Sequence, residues 1–339
     1  MKGLVLLGDR EIAIRDFEDP KAGKGQVVVK MIAVAVCGTD LRPYRAPKSG
    51  EAVESMIIPG HEPSGIVAET GPGVSRVKVG DRVAVYHFLG CGHCMQCLKG
   101  DFMHCKEVKG YGGPIHGSDA EYLLTNEINC LPLPDDFTFE DGALIACAAG
   151  TAFSALMKLN PNGKDTLLVL GLGPVGLCST IIGKALGARV IGVEPIAYRR
   201  ELALKVGADA VLDVGPELVK AVEDYTNGNG ADIVIETSGK PASQSISVFC
   251  CRPLGKLGIV GYNPEPTSIS TGEILGRQLE LRGSHVMPIH YYWPLVDLMK
   301  RHAIHFDSII THRFPLMEAR EAFRIFETGN TGKIIFTFK

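Results

Sequence analysis

Ten cysteines stand in a chain of 339 residues, and four of them crowd into one short stretch. Cys91-x2-Cys94-x2-Cys97-x7-Cys105 brings four thiolates close enough to close a tetrahedron around Zn²⁺. With every coordination position filled by protein, such an ion has no room for substrate, so its role is structural. The competing readings are four unrelated surface thiols or a redox CxxC pair, for which a third and fourth Cys are superfluous. A second signal is Gly171-Leu172-Gly173-Pro174-Val175-Gly176, directly after Leu167–Leu170 and before an apolar helical stretch. Glu194 ends the next strand-like run, 18 residues after Gly176. Strand, Gly-rich turn, helix and distal acid together form a dinucleotide-binding fingerprint. The glycines let the backbone approach a pyrophosphate at the helix N-terminus. Glu194 can accept both ribose hydroxyls of NAD, and its charge opposes the extra phosphate of NADP. Arg199 and Arg200 pull the other way. The alternative is a tight turn with no ligand. The third set is Cys37-Gly38-Thr39-Asp40 with Gly60-His61-Glu62, in which His61 and Glu62 follow Cys37 by 24 and 25 residues. It offers a thiolate, an imidazole and a carboxylate, although a Cys or His alone is more often a core residue.

The elements that must position these groups change character near residue 150. Residues 1 to about 148 read as short strands and turns: Gln26–Val36 is β-branched and apolar, and Gly65–Thr70 and Asp81–Tyr86 follow between Gly-rich turns. This half has an all-β pattern. Beyond it, Leu167–Leu170, Arg189–Val193, Ala210–Val214, Ala231–Thr237, Lys256–Val260 and Leu279–Gly283 read as strands, with helical stretches between most of them. Such alternation means a parallel sheet with crossovers. Helices near Tyr291–His302 and Leu316–Glu327 precede a last strand, Lys333–Phe338.

Composition narrows the function. The net charge is −3, and no Lys/Arg-rich arm provides the footprint of nucleic-acid binding. The apolar N-terminal run is too short for a signal peptide. The most apolar stretch, Leu167–Ile182, is broken by three Gly and a Pro and reads poorly as a membrane span. The expectation is a soluble, cytoplasmic protein whose clustered cysteines bind metal rather than pair as disulfides.

With these motifs in hand, the chain resembles the zinc-containing medium-chain alcohol dehydrogenases. GHEPSG at 60–65 is similar to the family's GHE signature, and the four-cysteine lobe, about 90–106, has the family's spacing. The resemblance implies an α/β fold: a GroES-like β catalytic domain at 1–148 and 287–339, and a Rossmann cofactor domain, a doubly wound parallel sheet, at 149–286. It implies two Zn²⁺ per chain and NAD. The catalytic zinc would be held by Cys37, His61 and a third ligand at the entry to the cofactor domain. There Ala146-Cys147-Ala148-Ala149-Gly150 resembles the version in which that ligand is Cys, hence Cys147, whereas polyol dehydrogenases often have Glu.

The same resemblance assigns the remaining roles. Thr39 would take the substrate proton, Asp40 would orient His61, and Glu62 would stand beside the zinc. Arg42 departs from the His that ends the proton relay in some members. Arg199 would flank the adenosine ribose, and Val260-Gly261-Tyr262 with Ser284 and His285 would line the nicotinamide. Lys333 resembles a pyrophosphate contact. Tyr86 and His87, with Tyr262, Ser284 and His116, are pocket candidates. Polar groups in a pocket reject substrates that cannot bond to them, which favours a secondary or polyhydroxylated alcohol over ethanol, although Cys147 points toward ordinary alcohol dehydrogenases. The implied reaction is reversible hydride transfer between an alcohol and NAD, with a ketone as product and zinc as Lewis acid. Alternatives are a sugar- or polyol-specific enzyme and a non-catalytic zinc-binding scaffold. The absence of the Cys/His/Cys set from zinc-independent enone reductases argues against that rival. A homo-oligomer, dimer or tetramer, is expected, with no membrane or nucleic-acid partner.

Overall fold

A computed structural model describes residues 1–48 and 57–338. The chain divides into two compact units. The first comprises Met1–Ala148, Pro288–Pro294 and His305–Lys339, and the second Ala149–Met287 and Leu295–Ile304. The return segment, expected to join the first unit whole, therefore lends Leu295–Ile304 to the second.

The first unit is built on a seven-stranded sheet. Its order is Ile310–Pro315, Lys333–Thr337, Gln26–Ala35, Pro63–Thr70, Arg82–Val85, Cys130–Pro132, and Tyr122–Asn126 also pairs with Gln26–Ala35. Gln26–Ala35 touches three other strands, so most of its side chains are buried rather than alternating. Val27, Val29, Met31 and Val34 pack with Val67, Val83, Val85, Phe323 and Phe336 in one core.

The all-β reading of this half missed the helix Phe139–Ala146. Its start was legible. Thr138 caps it by accepting the Asp141 N–H, and Asp141 returns the bond to the Thr138 N–H, a reciprocal capping box. The helix lies close against the sheet because residue 142 is glycine: a β-carbon there would collide with Ser64 Oγ. Asp141 also accepts the Phe306 N–H at 2.9 Å and lies 2.9 Å from His305 Nδ1, tying the helix to the returning chain.

The second unit is a six-stranded, wholly parallel sheet ordered Ala210–Leu212, Arg189–Val193, Thr166–Leu170, Ala231–Glu236, Cys251–Ile259, Glu280–Gly283. The chain builds outward from Thr166–Leu170 in one direction, then returns to build in the other. This doubly wound order leaves a crevice at the carboxyl ends of Thr166–Leu170 and Ala231–Glu236. Among the described residues no single helix is long and apolar enough to cross a membrane.

Candidate active site

The first unit gathers its reactive groups where three neighbouring strands end together. Cys37 follows Gln26–Ala35, His61 and Glu62 precede Pro63–Thr70, and Lys333 opens the last strand. Both outer strands run antiparallel to the central one, so its C-terminal end meets their N-terminal ends. The Ala35 N–H bonds the Glu62 carbonyl, and the Val36 N–H bonds that of Ile334, each at 3.0 Å. Cys147 arrives separately, at the C-cap of the Phe139–Ala146 helix. The donor atoms of Cys37, His61, Glu62 and Cys147 all lie within 4.8 Å of one another.

The charges around this cluster are unusually interdependent. A hydrogen bond from the Cys147 thiol holds Cys37 well below its ordinary value, against burial, with help from His61 and Lys333. The same bond, with burial, pushes Cys147 up. Burial alone would lower His61, but Asp40 and the Cys37 thiolate outweigh it and raise it. Asp40 Oδ1 lies 3.4 Å from His61 Nδ1, and its Oδ2 accepts the Cys37 N–H at 2.8 Å. Asp40 thus braces two of the donors at once. Burial lifts Glu62 to about 8, although Lys333 opposes the rise. Both side chains are fully buried, with Lys333 Nζ 2.7 Å from Glu62 Oε2 and neither in hydrogen-bonding alignment. Lys333, expected at the pyrophosphate, is here the counter-charge to Glu62. A soft thiolate pair and an imidazole, converging with a carboxylate at one point, suit Zn²⁺. Cys37, His61 and Cys147 can hold it with no net charge and leave one position for substrate.

His87 stands beside this cluster. It is nearly buried, donates from Nδ1 to the Ala146 carbonyl at 2.9 Å, and meets the His61 ring edge-on with centroids 5.3 Å apart. Tyr86, expected with His87 at the pocket, is its stacking partner, with ring centroids 5.8 Å apart. It is fully buried between the strands Arg82–Val85 and Phe88–Leu89, edge-on to Phe88 and Phe102, and burial raises its phenol. His116 accepts the Ile58 N–H at 3.2 Å and meets Phe17 edge-on. Thr39 and Arg42 are exposed just beyond Cys37. Asp119 was missed. It is buried against Gly60, one oxygen lacks a protein partner, and burial with Asp40 raises its carboxyl. No spacing rule singles it out.

The four-cysteine lobe is a separate centre in the same unit. The sulfurs of Cys91, Cys94, Cys97 and Cys105 lie within 4.8 Å of one another. A tetrahedral ion with Zn–S near 2.3 Å implies S···S separations of ~3.8 Å, and Cys91 and Cys97 are 4.0 Å apart. Backbone N–H groups of Cys91, Cys94 and Glu107 point at the sulfurs at 3.4 Å, which stabilises thiolates. Burial pushes the Cys97 thiol up to about 12, a cost that metal binding removes.

In the second unit, Gly171-x-Gly173-x-x-Gly176 caps the helix Pro174–Ala185, with Gly173 as N-cap and Pro174 at its first position. Gly171 adopts φ +89°, and a β-carbon there would stand 2.7 Å from Ser238 Cβ. A side chain at Gly176 would collide with the Gly171 carbonyl, whereas one at Gly173 would point into a space touched only by Arg199 Nη1, 3.9 Å off. That gap above a helix N-terminus fits a pyrophosphate. Glu194 is nearly buried and accepts the Leu172 N–H at 2.8 Å and the Ile196 N–H at 3.3 Å. A carboxylate has about four acceptor sites, so capacity for ribose hydroxyls remains. Arg200 is committed to the Glu194 and Pro195 carbonyls and to Asp213. Burial lowers Arg199, with Glu194 opposing. Val260 and Gly261 follow Cys251–Ile259, Tyr262 is exposed, Ser284 Oγ accepts from Lys158 Nζ at 3.0 Å, and His285 is exposed.

Comparison with known proteins gives the family. Residues 23–135 match the alcohol dehydrogenase GroES-like domain, and residues 174–301 the zinc-binding dehydrogenase domain. The chain is 36% identical over 333 residues to an L-threonine 3-dehydrogenase of Pyrococcus abyssi, covering 96% of this chain and 94% of that one. It is 34% identical to a D-arabitol-phosphate dehydrogenase of Enterococcus avium, over 97% and 94%. The structure superposes on the alcohol dehydrogenase TADH from Thermus sp. ATN1 with a TM-score of 0.91, 25% identity and full coverage of both chains. With two cysteine-rich clusters and a dinucleotide crevice in place, the chain belongs to the zinc-containing alcohol dehydrogenases, NAD-dependent oxidoreductases.

Proposed function

We propose that Cys37, His61 and Cys147 hold the catalytic zinc of a dehydrogenase acting on a small secondary or polyhydroxylated alcohol, and that Cys91, Cys94, Cys97 and Cys105 hold a structural zinc. The convergence of Cys37, His61, Glu62 and Cys147 within 4.8 Å carries this reading. When bound, zinc supplies a Lewis acid that acidifies the alcohol, and NAD supplies the hydride acceptor. The chain's own groups do the rest. Asp40 fixes His61 and Cys37 so that their donors face one point. Thr39, exposed two residues beyond Cys37, takes the hydroxyl proton and releases it to solvent. Glu62, held against Lys333, places a buried carboxyl group beside the donors.

The relatives named for L-threonine and D-arabitol phosphate support a polar alcohol as substrate. Ten cysteines with no disulfide among the described residues suit a reducing cytoplasm. Exposed Leu275, and Leu281 on the sheet's outer strand, support self-association. The test is a panel of alcohols, polyols and polyol phosphates with NAD, read at the nicotinamide absorbance alongside the metal content. About two Zn per chain with turnover supports the reading. One Zn and no turnover on any member overturns it in favour of a scaffold.

A further inference from the structure

A buried acid in the second unit is used by none of the above. Glu236 is the last residue of Ala231–Glu236, at the point where the sheet reverses its winding, and it is fully buried. A buried carboxylate is costly unless its oxygens find donors. Here Oε1 takes four, and Oε2 shares one of them. Oε1 accepts the Ser238 N–H at 2.9 Å, the Ser238 hydroxyl, and the Ser243 hydroxyl at 2.9 Å. The Gly239 N–H reaches both oxygens at 3.2 Å. The Glu236 carbonyl accepts the N–H groups of Val260 and Gly261, each at 2.9 Å.

One residue therefore ties three pieces together: the turn 237–239, the start of the helix Pro241–Cys250, and the turn at Gly261. The first of these reaches the phosphate-binding turn, since Thr237 Oγ1 donates to the Gly171 carbonyl at 2.7 Å and Ser238 packs against Gly171. Gly261 sits so close that a β-carbon there would stand 2.7 Å from Glu236 Oε2. Glu194 follows Arg189–Val193, the strand on the opposite side of Thr166–Leu170. The two acids thus flank the crevice, Glu194 on the adenosine side and Glu236 on the nicotinamide side.

We infer that Glu236 is a positioning residue for the nicotinamide half of the cofactor, acting through the 237–239 and 260–261 turns rather than by touching the cofactor. This rests on the reading that the cofactor lies across the carboxyl ends of this sheet. Glu236→Gln keeps the shape but removes the charge and places an amide N–H₂ either against the Gly239 N–H at Oε2 or against the four donors at Oε1. Glu236→Asp and Ser243→Ala perturb the same network more gently and serve if the first variant folds poorly.

The zinc-loaded full chain is titrated with NADH by nicotinamide fluorescence and with AMP by calorimetry, and its melting temperature is recorded. Glu236→Gln is expected to weaken NADH about tenfold, the size of one lost charge-assisted bond. AMP should stay within about twofold and the melting point should change little, because the adenosine side keeps Glu194. Ser243→Ala should weaken NADH by a smaller factor in the same selective way. Equal weakening of AMP and NADH with a lowered melting point would make Glu236 merely structural and overturn the inference, as would unchanged NADH binding in all variants. Failure of the wild-type chain to bind either ligand would instead overturn the reading on which it rests.

Discussion

The two sulfur-rich centres of the first unit differ in where their ligands come from. The lobe draws four thiolates from Cys91 to Cys105, a run that a few turns of backbone can fold around one ion. The other centre draws on Cys37, His61, Glu62, Cys147 and Lys333, which meet only because three strand ends and a helix terminus coincide. The lobe is lined by backbone N–H groups that point at its sulfurs. The second centre is braced by a sheet, a capped helix and a buried network of charges, so it should keep its shape when its ion is gone. A local site contributes folding energy, and a non-local site borrows it.

The sharpest way to break this contrast is Cys147→Ala. Losing the several kcal/mol that a Lewis acid supplies should lower turnover on the order of a thousandfold. The melting temperature and NADH binding should hold, as read by initial rates, thermal denaturation and nicotinamide fluorescence. Retained turnover would move the third ligand elsewhere, with Glu62 the first candidate.

Cys94→Ser should do the reverse. Loss of a closed thiolate site costs folding energy, so the melting temperature should drop by roughly 10 °C. Turnover per folded, zinc-loaded molecule should persist below that temperature. An unchanged melting point with lost turnover would reverse the two roles.

Cofactor choice extends the contrast to the second unit, where selectivity rests on a non-local acid. Glu194 is held beside the phosphate-binding turn, and Arg200 is already occupied by carbonyls and Asp213. A phosphate facing Glu194 at about 4 Å with an effective dielectric near 20 costs ~4 kcal/mol per unit charge. NAD should therefore exceed NADP by about tenfold to a thousandfold in kcat/KM, and Glu194→Ser should narrow the gap. Equal efficiencies in the parent enzyme would show that Glu194 does not face the ribose.

The smallest effect concerns the bracing of the Cys147 helix. Hydrogen bonding to Asp141, against slight burial, raises His305 above its ordinary value. Its stabilisation is therefore full below the unfolded value and fades as pH rises through the folded one. The half-exposed pair supports only a modest shift. The melting-temperature gap between the parent and His305→Gln should shrink from about pH 6 to about pH 9. A gap that is constant with pH would mean that the histidine contributes packing alone.

Legibility in the sequence followed the same division. The lobe and the glycine fingerprint are local patterns, readable because backbone geometry over a few residues dictates them. The Thr138–Asp141 box was equally readable and marks the start of the helix that the strand-rich reading passed over. Cys37, His61 and Cys147 needed a family resemblance, since nothing in their spacing says that they meet. Lys333 was misplaced for a related reason. Which buried charge finds which partner depends on how strands align across the sheet.

By itself, then, the sequence determined the two-part architecture, the dinucleotide turn and the four-thiolate lobe, all consequences of short-range periodicity and ligand spacing. Tertiary structure alone decided that Lys333 meets Glu62, that Asp40 braces Cys37 and His61 together, that Asp119 lies against Gly60, and that Glu236 mirrors Glu194 across the crevice. Burial makes each of these charges depend on a partner far away in the chain, and no local rule encodes a distance between residues that are brought together only by the sheet.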